Sequence, residues 1–421
     1  MEFLPFLFGM ITLIAAKESK RESRQIPLNL HPSLLASPIP FQADIKLGHH
    51  GVVPGNVQFK AQTSSYKQLH GSPGIPHGSV SLNIFDTPEY INKQIPNIQP
   101  PSAEQLLEEE WREFQMIYKK SYSSQEIASF RRAVFIENRA KIAKHNQEYS
   151  QGKRNFVQQM NPFGDLLFNE FNQLLNGLNR STVPKVRIPT PTTYIPSANV
   201  NVPNNVDWRQ VGAVTPVKNQ GECASCWAFA AAGALEGHWF RKTSKLEDIS
   251  EQDLLDCTFK DNTGCSGGDI DPAFQYVRKN NGVDIEEQYP VGYEESDKNG
   301  CRHNREGIVK CTGYVDLAKG DEKGLELAVA TIGPVAVGIE VVPDFQFYSD
   351  GVYFSKDCSQ NEGNVNHAML IVGYGQEPNG QKYWLVKNSY GTNWGLGGYI
   401  KMAKDANNHC SIASLASYPL V

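Results

Sequence analysis

The stretch GECASCWAF, from Gly221 to Phe229, sets two cysteines three residues apart just ahead of an aromatic and an Ala-rich run. A thiol is a useful nucleophile only as its thiolate. A helix N-terminus together with a nearby imidazolium can lower the thiol pKa from about 8.5 to roughly 3 to 4. The residues that follow, WAFAAAGALEGHWF, favour a helix with Cys226 at its start. Two plainer readings compete, a C-x-x-C redox dithiol and half of a zinc site. A zinc site needs a second close pair, and the other cysteines, Cys257, Cys265, Cys301, Cys311, Cys358 and Cys410, offer none. A redox dithiol leaves two downstream segments without a purpose.

Those segments are VNHAMLIVGYG, with His367, and YWLVKNSYGTNWGLGGY, with Asn388. His367 precedes an apolar run that reads as a buried strand, and Asn388 ends another just before a Gly-rich turn. A thiolate needs an imidazole to pair with it and to protonate the leaving amine. The imidazole in turn needs a third group to fix its tautomer and orientation. The order Cys226, His367, Asn388 meets that need, and among the ten histidines only His367 has such a partner segment next in the chain. A lone histidine in an apolar segment otherwise reads as a satisfied core residue.

With these motifs the chain resembles the papain-like cysteine peptidases and, within them, the cathepsin L group. That family's pattern is C-G-[SA]-C-[WY] with His and Asn about 130 to 150 residues downstream, and here His367 follows Cys226 by 141 residues. The resemblance implies that Cys226 is the nucleophile, His367 the acid/base and Asn388 the group that orients it. It also implies that Gln220 donates its amide to an oxyanion hole beside the Cys226 N–H. Each such donor stabilises charge found only in the tetrahedral intermediate and is worth about 3 to 4 kcal/mol. NNVDWRQVGAVTPVKNQG is similar to the start of a mature enzyme, and SEQDLLDC to a helix capped by Ser250. GCSGG resembles the strip that holds the substrate backbone, where Gly267 and Gly268 let an extended peptide approach closely; alone, a Gly-Gly pair would read as a turn.

By the same mapping Ile270, Gly338, Val365 and Leu415 form the pocket for the second residue upstream of the cut, with Asp269 and Asn366 nearby, and Trp394 lines the cleft. With no acidic floor the pocket should take aliphatic or aromatic side chains, with broad selectivity, since one methylene is worth about 1 to 3 kcal/mol. Two residues depart from the family pattern. Ala224 stands where relatives carry Gly, and Tyr390 replaces the first Trp of NSWGxxWG, a ring that shields the Asn–His hydrogen bond. The family implies disulfides Cys223–Cys265, Cys257–Cys301 and Cys358–Cys410, leaving Cys311 as a buried inert thiol.

Composition divides the rest. MEFLPFLFGMITLIAA, residues 1–16, reads as a secretory signal too short to span a bilayer. Residues 17–102 are Pro-, Ser-, Gly- and His-rich without period and read as a disordered extension. Residues 103–178 show two amphipathic helical stretches with acidic starts and basic ends. The second resembles the ERFNIN helix of an inhibitory propeptide, with Arg132, Phe135, Asn138, Ile142 and Asn146 in place and Ala128 where the leading Glu belongs. NPFGD, from Asn161 to Asp165, matches the second propeptide motif. Residues 179–201 form a Pro/Thr-rich connector in which Asn179 is an N-glycosylation acceptor. From residue 202 onward 19 Lys/Arg and 29 Asp/Glu give −10, so the part before carries −5 + 10 = +5. Opposite signs favour a propeptide bound to its enzyme until acid weakens the attraction. The acidic mature part also argues against nucleic-acid binding.

The sequence thus predicts an α+β protein in which a helical propeptide precedes a papain-like two-part fold over 202–421, one helical half and one antiparallel β-barrel half. The expected function is that of a cysteine endopeptidase made as a zymogen, acting on proteins and peptides without metal or cofactor. Only 39 residues separate Cys226 from Cys265, which leaves little room for the loop that blocks the cleft in dipeptidyl-cleaving relatives. The propeptide should be its intramolecular inhibitor and cystatin-type proteins its partners, in the secretory pathway, lysosomal or extracellular, with no membrane span. The rival reading is a catalytically silent relative that acts as a secreted binding or inhibitory protein.

Overall fold

The computed structural model describes residues 102–178, 192–194, 200–258, 262–290, 292, 300–303 and 306–421. The expected signal, nearly all of the 17–102 extension and Asn179 lie outside the described residues. Contacts divide the chain into Met1–Leu106 and Leu107–Val421. Of the first, only the helix start is described: Gln105 N donates to Ser102 Oγ at 3.1 Å and Ser102 N to Gln105 Oε1 at 2.7 Å, a capping box.

Helix α1 spans Ala103–Ile117 and α2 spans Gln125–Ser150, the latter capped by Ser124, whose hydroxyl accepts from Ile127 N at 3.3 Å. Trp111 and Phe114 of α1 pack on Phe135 of α2 at ring-centroid distances of 5.3 and 4.9 Å. The expected basic ends differ from what is found: the last turn of neither helix carries a cation. Lys120 lies past α1 and instead reaches Asp165 of the NPFGD turn at 2.8 Å. The inward-facing arginine of α2 is Arg131, which bonds Glu170 at 2.6 Å and the Asp165 carbonyl at 3.1 Å. Arg132, one helical step around, pairs instead with Glu108 on α1 at 3.1 Å. Asn138 holds the same turn through the Gly164 and Leu166 carbonyls, both at 3.0 Å.

Strand β1, Phe156–Gln158, follows, and then helix α3, Phe168–Leu175. Downstream come the two-residue strands β2, Thr192–Thr193, and β3, Val206–Asp207. The helical part of the mature region consists of α4, Cys226–Thr243, α5, Glu251–Cys257, and α6, Ile270–Lys279. Ser250 caps α5, its hydroxyl accepting from Asp253 N at 3.0 Å. Beyond it lie β4, Gly313–Asp316, α7, Glu322–Thr331, β5, Val335–Ile339, β6, Tyr348–Tyr353, β7, His367–Gln376, β8, Lys382–Lys387, β9, Tyr399–Ala403, and β10, Ala416–Leu420.

The strands join as β1-β6-β9-β8-β7-β5-β10-β4-β2, with β3 on β7. Most pairs are antiparallel; β6/β9 and β4/β2 run parallel. Strand β1 comes from the propeptide region and extends the mature sheet along β6, Phe156 opposite Gly351, an instance of strand addition to a sheet edge. One apolar cluster fills the sheet around Val337, Met369, Trp384 and Trp394; a second surrounds α4. Gly233 lets α4 approach β7, since a Cβ there would stand 2.8 Å from Leu370 Cδ2. Disulfides link Cys223–Cys265, Cys257–Cys301 and Cys358–Cys410. Cys311 is buried and free, and burial pushes its thiol up to about 12.

Candidate active site

Cys226 is the first residue of α4, so its sulfur meets the helix N-terminus, where unpaired N–H groups and the helix dipole favour negative charge. The sulfur is buried and faces the backbone N–H groups of Ala368, Gly177, Trp227 and Leu178. Ala368 directly follows His367, the first residue of β7, so the strand that carries the imidazole, with His367 opposite Ile339 of β5, starts against the thiol. His367 Nε2 and Asn388 Oδ1 are 2.9 Å apart. The same Oδ1 accepts from Ser389 N at 2.8 Å, so the imidazole is the donor and its neutral form carries a lone pair on Nδ1. Asn388 sits just past β8, whose pairing with β7 fixes the two side chains in register.

Gln220 is fully buried beside them. Its Oε1 accepts from the Ser389 hydroxyl at 2.5 Å, which turns Nε2 outward. Nε2 donates to the carbonyls of Cys223 at 2.7 Å and of Leu175 at 2.8 Å. Leu175 is the last residue of α3, so a carbonyl of the propeptide occupies the donor that the sequence assigns to the oxyanion hole.

The propeptide then crosses the thiol. Gly177 N donates to Cys226 Sγ at 3.3 Å, and its carbonyl accepts from Gly268 N at 2.8 Å. Leu178 pairs with Gly268 as a parallel bridge and donates its N–H to the Asn366 carbonyl at 3.0 Å. Its side chain enters the expected apolar pocket: a Cβ on Gly338 would stand 2.7 Å from both Leu178 Cδ2 and Val365 Cγ1, and 3.1 Å from Leu415 Cβ. Ile270 belongs to the same cluster and starts α6. Gly267 holds φ +114°, a conformation L side chains rarely adopt, and Asp269 caps Ile270 N at 2.8 Å. Ala224 touches this crossing, because a Cβ on Gly177 would lie 2.7 Å from the Ala224 Cβ. Trp394 is fully buried, with Nε1 donating to the Gln346 carbonyl at 3.2 Å and its ring against Phe345, Tyr348 and Tyr390.

Burial under the propeptide pushes the Cys226 thiol up to about 11, although the surrounding N–H groups work the other way. Burial likewise pushes the His367 imidazole down to about 4 against the opposing Asn388 bond. Desolvation disfavours both charged forms, so each group is held neutral in this arrangement. Sequence reasoning did not single out Leu175, Asn176, Gly177 and Leu178, whose backbone covers the site. The signal available was their position, a short Asn-Gly-Leu run between an apolar helix and the Pro/Thr-rich connector.

A cysteine at a helix N-terminus, a His–Asn pair on adjoining strands and a propeptide laid over both define a class, the zymogens of cysteine peptidases. Residues 202–420 match the papain family of cysteine proteases and residues 111–171 the cathepsin propeptide inhibitor domain (I29). The chain is 48% identical to a cathepsin L-like peptidase of Aedes aegypti, over 76% of its own length and 95% of that protein. Against procathepsin L of Rattus norvegicus the identity is 45%, over 76% and 94% of the two chains. The solved structure of digestive procathepsin L2 proteinase from Tenebrio molitor larval midgut aligns with a TM-score of 0.70 at 38% identity, covering 75% of this chain and all of that one. The chain belongs to the papain family of cysteine proteases. Within it, this is a cathepsin L-like cysteine endopeptidase made as a zymogen, held by an intramolecular propeptide inhibitor.

Proposed function

We propose that Cys226 is the nucleophile of this endopeptidase, His367 its acid/base, Asn388 the group that orients the imidazole, and Gln220 the side-chain donor of the oxyanion hole. The observation that carries the assignment is the gathering under the propeptide of the Cys226 sulfur, the His367–Asn388 bond and the Gln220 amide, with propeptide backbone on the sulfur and on the amide. Once the propeptide leaves, water and substrate reach the pair and the thiol proton passes to His367 Nδ1. The thiolate attacks the scissile carbonyl carbon, and its oxygen takes the negative charge between Gln220 Nε2 and Cys226 N–H. Collapse breaks the C–N bond as His367 returns the proton to the departing amine. Water, deprotonated by His367, then hydrolyses the thioester and frees the acid.

Gly267 and Gly268 pair with substrate backbone, and Ile270, Gly338, Val365 and Leu415 select an apolar side chain at the second position upstream of the cut. Leu178 in that pocket supports the reading; Asn366 flanks the cleft, while Trp394, expected to line it, is buried behind Tyr390 and supports the site from within. The domain limits follow: a signal over 1–16, the extension over 17–102, the inhibitor over 103–178, a connector over 179–201 that is removed together with any glycan on Asn179, and the mature enzyme from 202 onward. Among the described residues no helix is long and apolar enough to cross a membrane. We assign the protein to the secretory pathway, lysosomal or extracellular, with cystatin-type inhibitors as partners.

An epoxysuccinyl thiol reagent at acid pH tests the assignment. Matured protein should be labelled at Cys226 and lose peptidase activity, and the Cys226→Ser zymogen should not process itself. Full activity in Cys226→Ser, or labelling only at Cys311, would refute it.

A further inference from the structure

Tyr390, the residue standing in place of the usual Trp, carries a hydroxyl where Trp has none. Its ring is fixed from four sides. Phe163 and Phe171 of the propeptide meet it edge-on at 5.6 and 5.5 Å, Trp394 at 5.5 Å, and the His367 ring lies 4.8 Å away at 30°. Its backbone is anchored by the bridge to Asn219. The hydroxyl donates its single proton to Asn176 Oδ1, and its oxygen lies 3.4 Å from His367 Nδ1.

The directions of these bonds are informative. Neutral His367 presents a lone pair at Nδ1, and the Tyr390 proton already points at Asn176, so the phenol oxygen faces a second acceptor. Asn176 is the C-cap of α3, and its Nδ2 donates to Asn172 Oδ1 at 2.8 Å. That oxygen also accepts from Asn366 Nδ2 at 3.1 Å, so the polar chain spans from Tyr390 across the propeptide to the residue before His367. Departure of α3 removes the acceptor and two of the packing rings together. Once the propeptide leaves and the thiol proton fills His367 Nδ1, the phenol oxygen, 3.4 Å away, accepts from that N–H, and its own proton is free for the Cys226 sulfur in competition with water.

We propose that Tyr390 is a positioning residue for the Cys226–His367 pair, its hydroxyl proton sequestered by Asn176 in the zymogen and turned onto the pair when the propeptide leaves. This rests on the assignment of Cys226 and His367 made above. A proton donated to the Cys226 thiolate favours the charged form, so release lowers the pH at which the thiolate appears. The phenol itself stays protonated, since burial and the Cys226 charge both push it well above its usual value. Charged groups on the neighbouring elements are occupied elsewhere. Glu170 of α3 bonds Arg131, Asp165 bonds Lys120 and Tyr122, and Asp344, next to Phe345, takes Tyr353 and Ser355. Lys387 of β8 donates to Thr215.

The test compares full-length zymogens of wild type, Tyr390→Phe, Tyr390→Trp and Asn176→Ala. Two readouts are taken: the rate of self-processing at fixed pH, and the pH profile of Cys226 alkylation by iodoacetamide in the matured enzymes. Asn176→Ala should process about fivefold faster than wild type, the effect of one lost neutral hydrogen bond, whereas Tyr390→Phe and Tyr390→Trp, which lose the same restraint but also the support of the released pair, should gain less. Matured Asn176→Ala should match wild type, because the substitution leaves with the propeptide. In matured Tyr390→Phe and Tyr390→Trp the alkylation midpoint should rise by about one pH unit. Two rings of different size separate the missing hydroxyl from altered packing. Midpoints within about 0.2 unit of wild type, or wild-type processing by Asn176→Ala, would overturn the proposal. Failure of the underlying assignment is distinguishable, because wild type itself would then show neither alkylation at Cys226 nor peptidase activity.

Discussion

The propeptide and the mature domain are held together by different means. Between Leu107 and Leu178 the compact core is a cluster of three buried rings, Trp111, Phe114 and Phe135, and no disulfide joins its described residues. From residue 202 onward two large apolar clusters and three disulfides share the task. The propeptide compensates by borrowing. Its β1 completes the β6 edge, Asn161 Nδ2 donates to the Gln346 carbonyl at 2.7 Å, and Leu178 sits in the pocket of the enzyme it blocks. An inhibitor that draws so much order from its target is one that a single cut, or a modest loss of internal stability, can dislodge.

The most severe way to break that contrast is to empty the small cluster. Trp111→Ala should cost about 3 to 5 kcal/mol, the range for deleting a buried indole. In a domain with three core rings that suffices to unfold it. The zymogen should then show a lost low-temperature transition and early proteolysis before residue 178, while the melt of the matured enzyme is unchanged. A zymogen whose melting curve matches wild type would mean that the propeptide is carried by its target alone. The converse change is Cys358→Ala with Cys410→Ala, which opens a bridge of sequence separation 52 in the mature part. It should lower the stability of the matured enzyme by about 2 to 4 kcal/mol. The propeptide contacts should be spared, as read by unaltered inhibition of processed wild-type enzyme by added propeptide.

Much of this contrast was legible in the sequence. The run after Cys226 is helical because it is rich in Ala and holds no Pro, which outweighs Gly233 and Gly237, and Ser250 caps α5 through its own hydroxyl. Neither depends on distant residues. Cys226, His367, Asn388 and Gln220, separated by up to 168 residues from 220 to 388, are neighbours in space. The choice between Arg131 and Arg132 was not legible. The two point about 100° apart on α2, and which one faces inward depends on where the NPFGD turn docks. Nor was the path of Asn176, Gly177 and Leu178, a loop by composition whose course is set by the enzyme surface beneath it. The hydroxyl of Tyr390 is the sharpest case: a substitution that reads as a lost indole is, in space, a gained hydrogen bond.

A smaller change acts at the seam. Gly338→Ala places a methyl 2.7 Å from Leu178 Cδ2 and Val365 Cγ1, where one of them must move. Overpacking of this kind costs about 1 to 3 kcal/mol. The propeptide should inhibit more weakly by about tenfold, and the matured enzyme should shift its preference from Leu towards smaller residues such as Val or Ala at the second upstream position. Unchanged inhibition and an unchanged substrate profile would show that Leu178 is not gripped by this pocket.

The gentlest perturbation is acid itself, and it bears on the charge-based trigger read from the sequence. Among the described residues the ion pair found across the seam is Arg154–Asp344 at 3.9 Å, while most charged contacts of the propeptide are internal. His145 of α2 is a better sensor. Burial lowers its pKa, while its Nε2, 3.0 Å from the Phe156 carbonyl, ties α2 to β1. The unfolded chain therefore binds a proton more readily than the folded one, and stability falls as pH drops below about 6.5 towards the folded value. Glu170 follows later. Burial works against its charge, but the bonds from Arg131 and Leu167 N hold its carboxyl below the usual range, so its contribution is lost only as pH falls below about 4.5. The mature domain has a comparable histidine, His238, which burial pushes down to about 4, but two large clusters and three disulfides absorb the same penalty. His145→Gln keeps a donor for the Phe156 carbonyl and removes the titration. Its zymogen should lose less stability than wild type as pH falls below about 6.5 and process more slowly at pH 5, with the difference persisting at pH 4. A pH dependence identical to wild type would move the acid trigger out of α2 and onto the carboxylates.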